Sequence, residues 1–120
     1  MVMNCVFIFL AGGLGSMLRY LIGIVLPACC FPWVTLGINV VGSFSIGLLG
    51  RCGTKFGWSD GLQLALTVGL CGGFTTFSTF SKEAFTLATT GRWCVFCLYV
   101  IGSLALSLAA TAVGFISIKG

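Results

Sequence analysis

Charge is what this sequence has least of. Only six basic and two acidic residues occur in 120, and there is no histidine. Soluble domains carry about 25% charged residues; at 7% this chain falls outside that class. It has no run of charge, no low-complexity tract and no segment that reads as a soluble domain or linker. No helix pair shows an obvious repeat, and no P-loop is present, which excludes that route to a nucleotide.

What fills the chain instead is apolar. Hydrophobic residues make up 58% of it, and the mean hydropathy is +1.17. Residues 1–18, 20–50, 61–81 and 93–118 are free of formal side-chain charge. A spanning helix needs roughly 20 apolar residues. Pro27 and Pro32 divide the longest run. The pattern predicts an integral membrane protein with four helices, near 2–26, 33–54, 61–85 (interrupted near 73–76) and 92–118. The first span lacks a basic n-region, and its first positive charge, Arg19, comes late, so it reads as a retained helix rather than a signal peptide.

The seven cysteines, Cys5, Cys29, Cys30, Cys52, Cys71, Cys94 and Cys97, are odd in number and scattered through apolar spans, which does not describe a disulfide framework. Cys94 and Cys97 form a CxxC. Without histidine or a second CxxC, small apolar packing is the expected role. The net charge of +4 is less informative than its distribution. With four spans, Arg51, Lys55 and Lys119 fall on one side and Arg19, Lys82 and Arg92 on the other. The positive-inside rule then assigns no orientation. The tie reads as chance in a short chain or as dual topology, with copies inserted both ways and paired antiparallel. The pairs Gly12 and Ser16, Ser43 and Gly47, and Gly69 and Gly73 are small-xxx-small spacings suited to helix contacts in lipid. They suit packing within the chain equally well. Four helices hardly enclose an aqueous pathway alone, which favours a homodimer.

The densest information lies in Gly72-Gly73-Phe74-Thr75-Thr76-Phe77-Ser78-Thr79-Phe80-Ser81. Adjacent glycines inside a span invite a helix break. Broken backbone at membrane depth survives where it is buried in protein, lines a cavity or holds an ion. Phe74, Phe77 and Phe80 lie three apart, with Glu83 three further on. A Phe stripe usually means core or lipid contact; a ring edge is also positive and can face an anion. Thr35 and Asn39 share one face of the second helix. A deep amide reads either as a helix–helix hydrogen bond or as a donor lining a pathway. Tyr99, Ser103, Ser107 and Thr111 recur every four residues on the fourth helix, a polar track along one face. Arg19 and Glu83 are the ionisable groups near the spans; interfacial solvation or attraction of anions explains either.

These residues resemble a known family. Gly12-Gly13-Leu14-Gly15-Ser16-Met17-Leu18-Arg19-Tyr20 is similar to a GGxxGxxxRY signature, with Ser16 where Ala is frequent. Thr35-Leu36-Gly37-Ile38-Asn39-Val40-Val41-Gly42-Ser43-Phe44 resembles TLxxNxxGxF, and Gly72 to Ser81 resembles GGFTTFSTFS. The family is the Fluc (CrcB-type) fluoride channels, and the likeness covers essentially the whole chain. It implies an all-α, four-helix membrane protein with a broken third helix, forming an antiparallel dual-topology homodimer in the plasma (inner) membrane. It further implies two pores that export fluoride passively and confer resistance. By resemblance, Phe77 and Phe80 give the ring edges, Asn39 donates to the ion, and Ser78 and Thr79 add polar contacts. Tyr99, Ser103, Ser107 and Glu83 continue the path, and Arg19 stands at the vestibule. The carbonyls of Gly72 and Thr75 would hold a structural sodium ion on the dimer axis. Conduction of this kind needs no enzyme chemistry.

Two rivals are a small dual-topology multidrug or cation antiporter and a scaffolding membrane subunit. Proton-coupled cation export calls for a membrane-embedded carboxylate, and the first span has none. A scaffold needs neither a polar track nor a mid-span break.

Overall fold

The structure, a computed structural model, describes residues 1–26 and 32–118. Pro27, Cys29, Cys30 and Lys119, which entered the sequence reading, lie outside the described residues. Among the described residues there are only helices and their connections. Four helical stretches are long and apolar enough to cross a membrane: α1 (Val2–Val25), α2 (Trp33–Phe56), a composite third span (Asp60–Thr89) and α6 (Trp93–Ile116). Each 24-residue helix is about 36 Å long at 1.5 Å per residue, enough to cross about 30 Å of hydrocarbon. The prediction of four spans holds within a few residues at every boundary.

The third span is not one helix. It starts as α3 (Asp60–Leu64), capped by the Ser59 side chain on the Leu62 amide. A π-helical segment, Ala65–Cys71, leads to α4 (Gly72–Phe74). After a gap at residues 75–77 the chain resumes as α5 (Ser78–Thr89). The expected interruption is there, shifted toward its later edge. Gly72 and Gly73 remain helical, and Thr75 is the residue that turns extended, at φ −81° and ψ 161°. Gly73 serves packing against α1 instead of breaking the helix. No local pattern in the sequence predicts the π segment; such insertions in an α-helix tend to mark functional regions.

Two helix pairs organise the protomer. α1 lies along the π segment and α4, and α2 lies along α6, with α5 also against α6. The pairings rest on close backbone approach. A Cβ added at Gly73 would run into the carbonyl of Gly12, and one added at Gly47 would run into the carbonyl of Thr111. The small-xxx-small spacings are thus used within the chain and give no separate argument for a dimer. Without a hydrophobic drive between helices in lipid, this kind of close van der Waals contact is what holds spans together.

The buried core is small and sits where α2, α5 and α6 meet: Leu36, Ala84, Leu87 and Tyr99, with Phe80, Val95 and Phe96 packed around it. Large apolar side chains such as Phe9, Val25 and Leu108 point outward, as spans surrounded by lipid do. Cys94 and Cys97 are also exposed, so the packing role expected for them does not hold. Among the described residues no group of three metal-ligating side chains accompanies them.

Candidate functional site

The break is held open from outside the third span. The Thr76 amide donates to Asn39 Oδ1 at 2.9 Å, and Asn39 Nδ2 donates to the Thr76 carbonyl at 3.0 Å. An unpaired peptide group in a membrane interior costs several kcal/mol. One side chain from α2 therefore satisfies both halves of the peptide that leaves the helix. Thr75 closes the other side, with its amide and its hydroxyl both reaching the Cys71 carbonyl at 3.0 Å. Thr76 Oγ1 then accepts from the Thr79 amide at 3.2 Å and caps α5. The close pass of Thr75 over Gly42 brings this turn onto α2, since a Cβ at Gly42 would collide with the Thr75 methyl.

The diverted bonds leave acceptors free. The Thr76 amide would have served the Gly72 carbonyl in a continuous helix; here it serves Asn39. No hydrogen bond from a described residue reaches the carbonyl of Gly72 or Thr75. The Gly73 carbonyl differs: Ser16 Oγ and Arg19 Nε both donate to it, each at 3.4 Å.

A groove of about 330 Å³ runs beside the break, between α2, α5 and α6. Asn39, Thr75, Phe77, Phe80, Ser103 and Ser107 line it, together with Ser43 and Thr111. The rings of Phe77 and Phe80 have centroids 5.7 Å apart at an interplanar angle of 44°. Phe80 continues to Tyr99, 5.0 Å away and tilted by 46°. Tyr99 is wholly buried, and its hydroxyl donates to Glu83 Oε1 at 3.1 Å. Thr35, one helical turn before Asn39 on α2, is also buried. Ser103 Oγ is buried and has no hydrogen-bond partner. A buried, unpaired hydroxyl beside a groove is a donor held ready for something the protein itself does not supply.

The predicted residues fall into three sets. Asn39, Phe77, Phe80, Ser103 and Ser107 meet in the groove, and Tyr99 with Glu83 extends it past Phe80. Ser78 and Thr79 do not line it; Ser78 is exposed, with Oγ 3.4 Å from Thr76 Oγ1, and Thr79 offers its amide to that same oxygen. Arg19 stands on α1, away from the groove, against the Gly73 carbonyl. Three polar lining residues, Ser43, Thr76 and Thr111, are not among the predicted site residues. Thr111 was legible as the last member of the four-residue stripe on α6. Ser43 follows Asn39 by one helical turn, a signal read only as a packing motif.

The groove is lined by apolar walls, ring systems and uncharged hydroxyls, with no carboxylate among its lining residues. That chemistry accommodates a small anion and gives a cation no counter-charge. Comparison with known proteins agrees. The model of the family described as CrcB-like protein, Camphor Resistance (CrcB), matches residues 6–115. A fluoride-specific ion channel FluC of Methylobacterium sp. is 45% identical over 122 residues, covering 98% of this chain and 97% of that protein. Proteins of the same name from Phocaeicola vulgatus and Bacteroides fragilis are each 42% identical, covering 89% and 91% of this chain and 91% of their own length. With four spans, a clamped helix break and a family match over nearly its full length, the chain belongs to the CrcB-like family.

Proposed function

We propose that this protein is a fluoride-specific channel of the plasma membrane that lets the cytoplasm lose fluoride passively. The observation that carries the reading is the groove at the break, where Phe77, Phe80 and the unpaired Ser103 hydroxyl converge beside Asn39. Fluoride is small and strongly hydrated. To pass, it must exchange water for partners that hold it and also release it. Ring edges and single hydroxyl donors meet that demand, whereas a fixed cation would bind too tightly. The relatives' names point to the same ion. An antiporter of cations would need a carboxylate in the groove, and the lining has none.

The working unit in this reading is an antiparallel homodimer of dual topology with two pores. Gly72, Phe77 and Ser78 are exposed on the protomer, and Phe77 is 74% exposed. Polar, broken backbone facing lipid is costly, so a second copy covering this face is the natural remedy. The free carbonyls of Gly72 and Thr75 fit a hard cation, and such a helix end carries negative partial charge. They would hold a structural sodium ion that neutralises these oxygens.

The purified protein in liposomes should release fluoride far faster than chloride. Equal release of both ions overturns the assignment. A C-terminal tag should be found on both sides of the membrane in one culture, and lysines added to the loop at residues 57–59 should bias insertion and lower activity. A single orientation of the unaltered protein would reject dual topology.

A further inference from the structure

We propose that Ser43 of α2 is a further anion-contacting residue of this protein, an assignment that rests on the channel reading above. In a membrane span, Ser and Thr bond back to the carbonyl four residues earlier, because lipid offers nothing else. Ser45 does so to Val41 at 2.8 Å, Thr67 to Gln63 at 2.7 Å, Thr86 to Lys82 at 2.9 Å and Thr111 to Ser107 at 3.1 Å. Three serines of the groove do not follow this habit. The Ser43, Ser103 and Ser107 hydroxyls make no hydrogen bond to any described residue. All three line the same groove.

Helix register gives Ser43 its direction. Asn39, Ser43 and Gly47 are four apart on α2 and so share a face. Asn39 on that face clamps Thr76, and Gly47 on it meets the Thr111 backbone of α6. A Cβ added at Gly114 would likewise run into the Phe44 carbonyl, so α2 and α6 are pressed together at that level. Ser43 lies one turn from Gly47 on the groove side, between the clamp and the tight crossing. It stands across the groove from the Ser107 and Thr111 stripe. An ion moving beyond Asn39 and Phe77 toward Thr111 then finds a donor on α2 opposite the donors on α6. Two-sided donation replaces more of the hydration shell than a stripe on one helix does. Ser45, two residues on, projects from another face and is already bonded to Val41.

The test is fluoride efflux from liposomes holding the full-length protein, measured over a range of internal fluoride, for wild type, Ser43→Ala, Ser43→Gly and Ser45→Ala. Loss of one donor to an anion should lower flux about tenfold in both Ser43 variants. It should also raise the fluoride concentration at half-maximal flux, an effect that a packing role would not produce. Ser45→Ala should match wild type in flux, and both alanine variants should keep the wild-type melting temperature and elution volume. Ser43→Ala flux within about twofold of wild type, with an unchanged half-saturating concentration, would overturn the assignment while leaving the channel reading intact. A wild-type protein that passes no fluoride defeats the channel reading itself. If Ser43→Ala melts early, Ser43→Thr decides: retained flux supports the hydroxyl's role, and loss comparable to alanine rejects it.

Discussion

Asn39 and Thr76, 37 residues apart in sequence, exchange hydrogen bonds in both directions, amide to amide, at 2.9 and 3.0 Å. The side chain imitates the neighbouring backbone that a continuous helix would have given. The helix break is therefore a tertiary feature, made by α2 as much as by the third span. Asn39 Nδ2 carries two hydrogens and gives one to Thr76, so its second remains for another acceptor. A helix–helix hydrogen bond and a pathway donor are compatible in the same amide.

Asn39→Ala should remove both bonds and strand the Thr76 amide and carbonyl. At about 1–3 kcal/mol for each of the two unsatisfied groups, the loss should be about 2–6 kcal/mol. Thermal unfolding in detergent measures it, and fluoride flux should fall with it. An alanine variant as stable as wild type would show that the break stands without the clamp.

Tyr99→Phe should separate the ring from the phenol. The ring contact with Phe80 at 5.0 Å is kept, and the donation to Glu83 at 3.1 Å is lost. A hydrogen bond to a charged partner makes this worth about 1–3 kcal/mol, less where the carboxylate still meets water. Glu83→Gln, which keeps an acceptor for the phenol, should be milder. If the two variants are equally stable and Tyr99→Phe conducts like wild type, the Tyr99–Glu83 bond has no part in the path.

Gly47→Val should force α2 away from α6, because its Cβ meets the Thr111 backbone, which has no flexible end to move aside. Overpacking of this kind costs about 3 kcal/mol. Gly23→Ala, with open space at its Cβ, should be neutral or stabilising by up to about 1 kcal/mol through helix propensity. Comparing the two melting temperatures checks the assignment of Gly47 as a contact and of Gly23 as a free position.

The proposed sodium site makes its own prediction. Thr75→Ser should leave it intact, because the ligands are backbone oxygens. Thr76→Pro should damage it, since proline lacks the N–H that Asn39 holds. Dimer stability should be lower when sodium is replaced by a large organic cation, read as the fraction of dimer on dilution. Equal dimer stability in both salts would reject a structural cation.

The sequence alone determined the spans, because about 20 residues without charge have few ways to be satisfied other than crossing hydrocarbon. It also marked the third span as interrupted and the α6 stripe of Tyr99, Ser103, Ser107 and Thr111 as polar, since both are local periodicities. The position of the break was another matter. Gly72 and Gly73 suggested it would fall at the glycines, yet they stay helical and the chain opens at Thr75. Local propensity weighs about 1 kcal/mol for a glycine, whereas capture of the Thr76 peptide by a distant amide weighs more. In the same way, composition left the small-xxx-small pairs undecided between partners. Close approach of Gly73 to Gly12 and of Gly47 to Thr111 assigned them to the protomer's own helices. Only the crossing of α2 and α6 turned Ser43 from a packing residue into a member of the groove. Which of many serines keeps a free hydroxyl depends on what lies across from it, and that is a property of the packed helices.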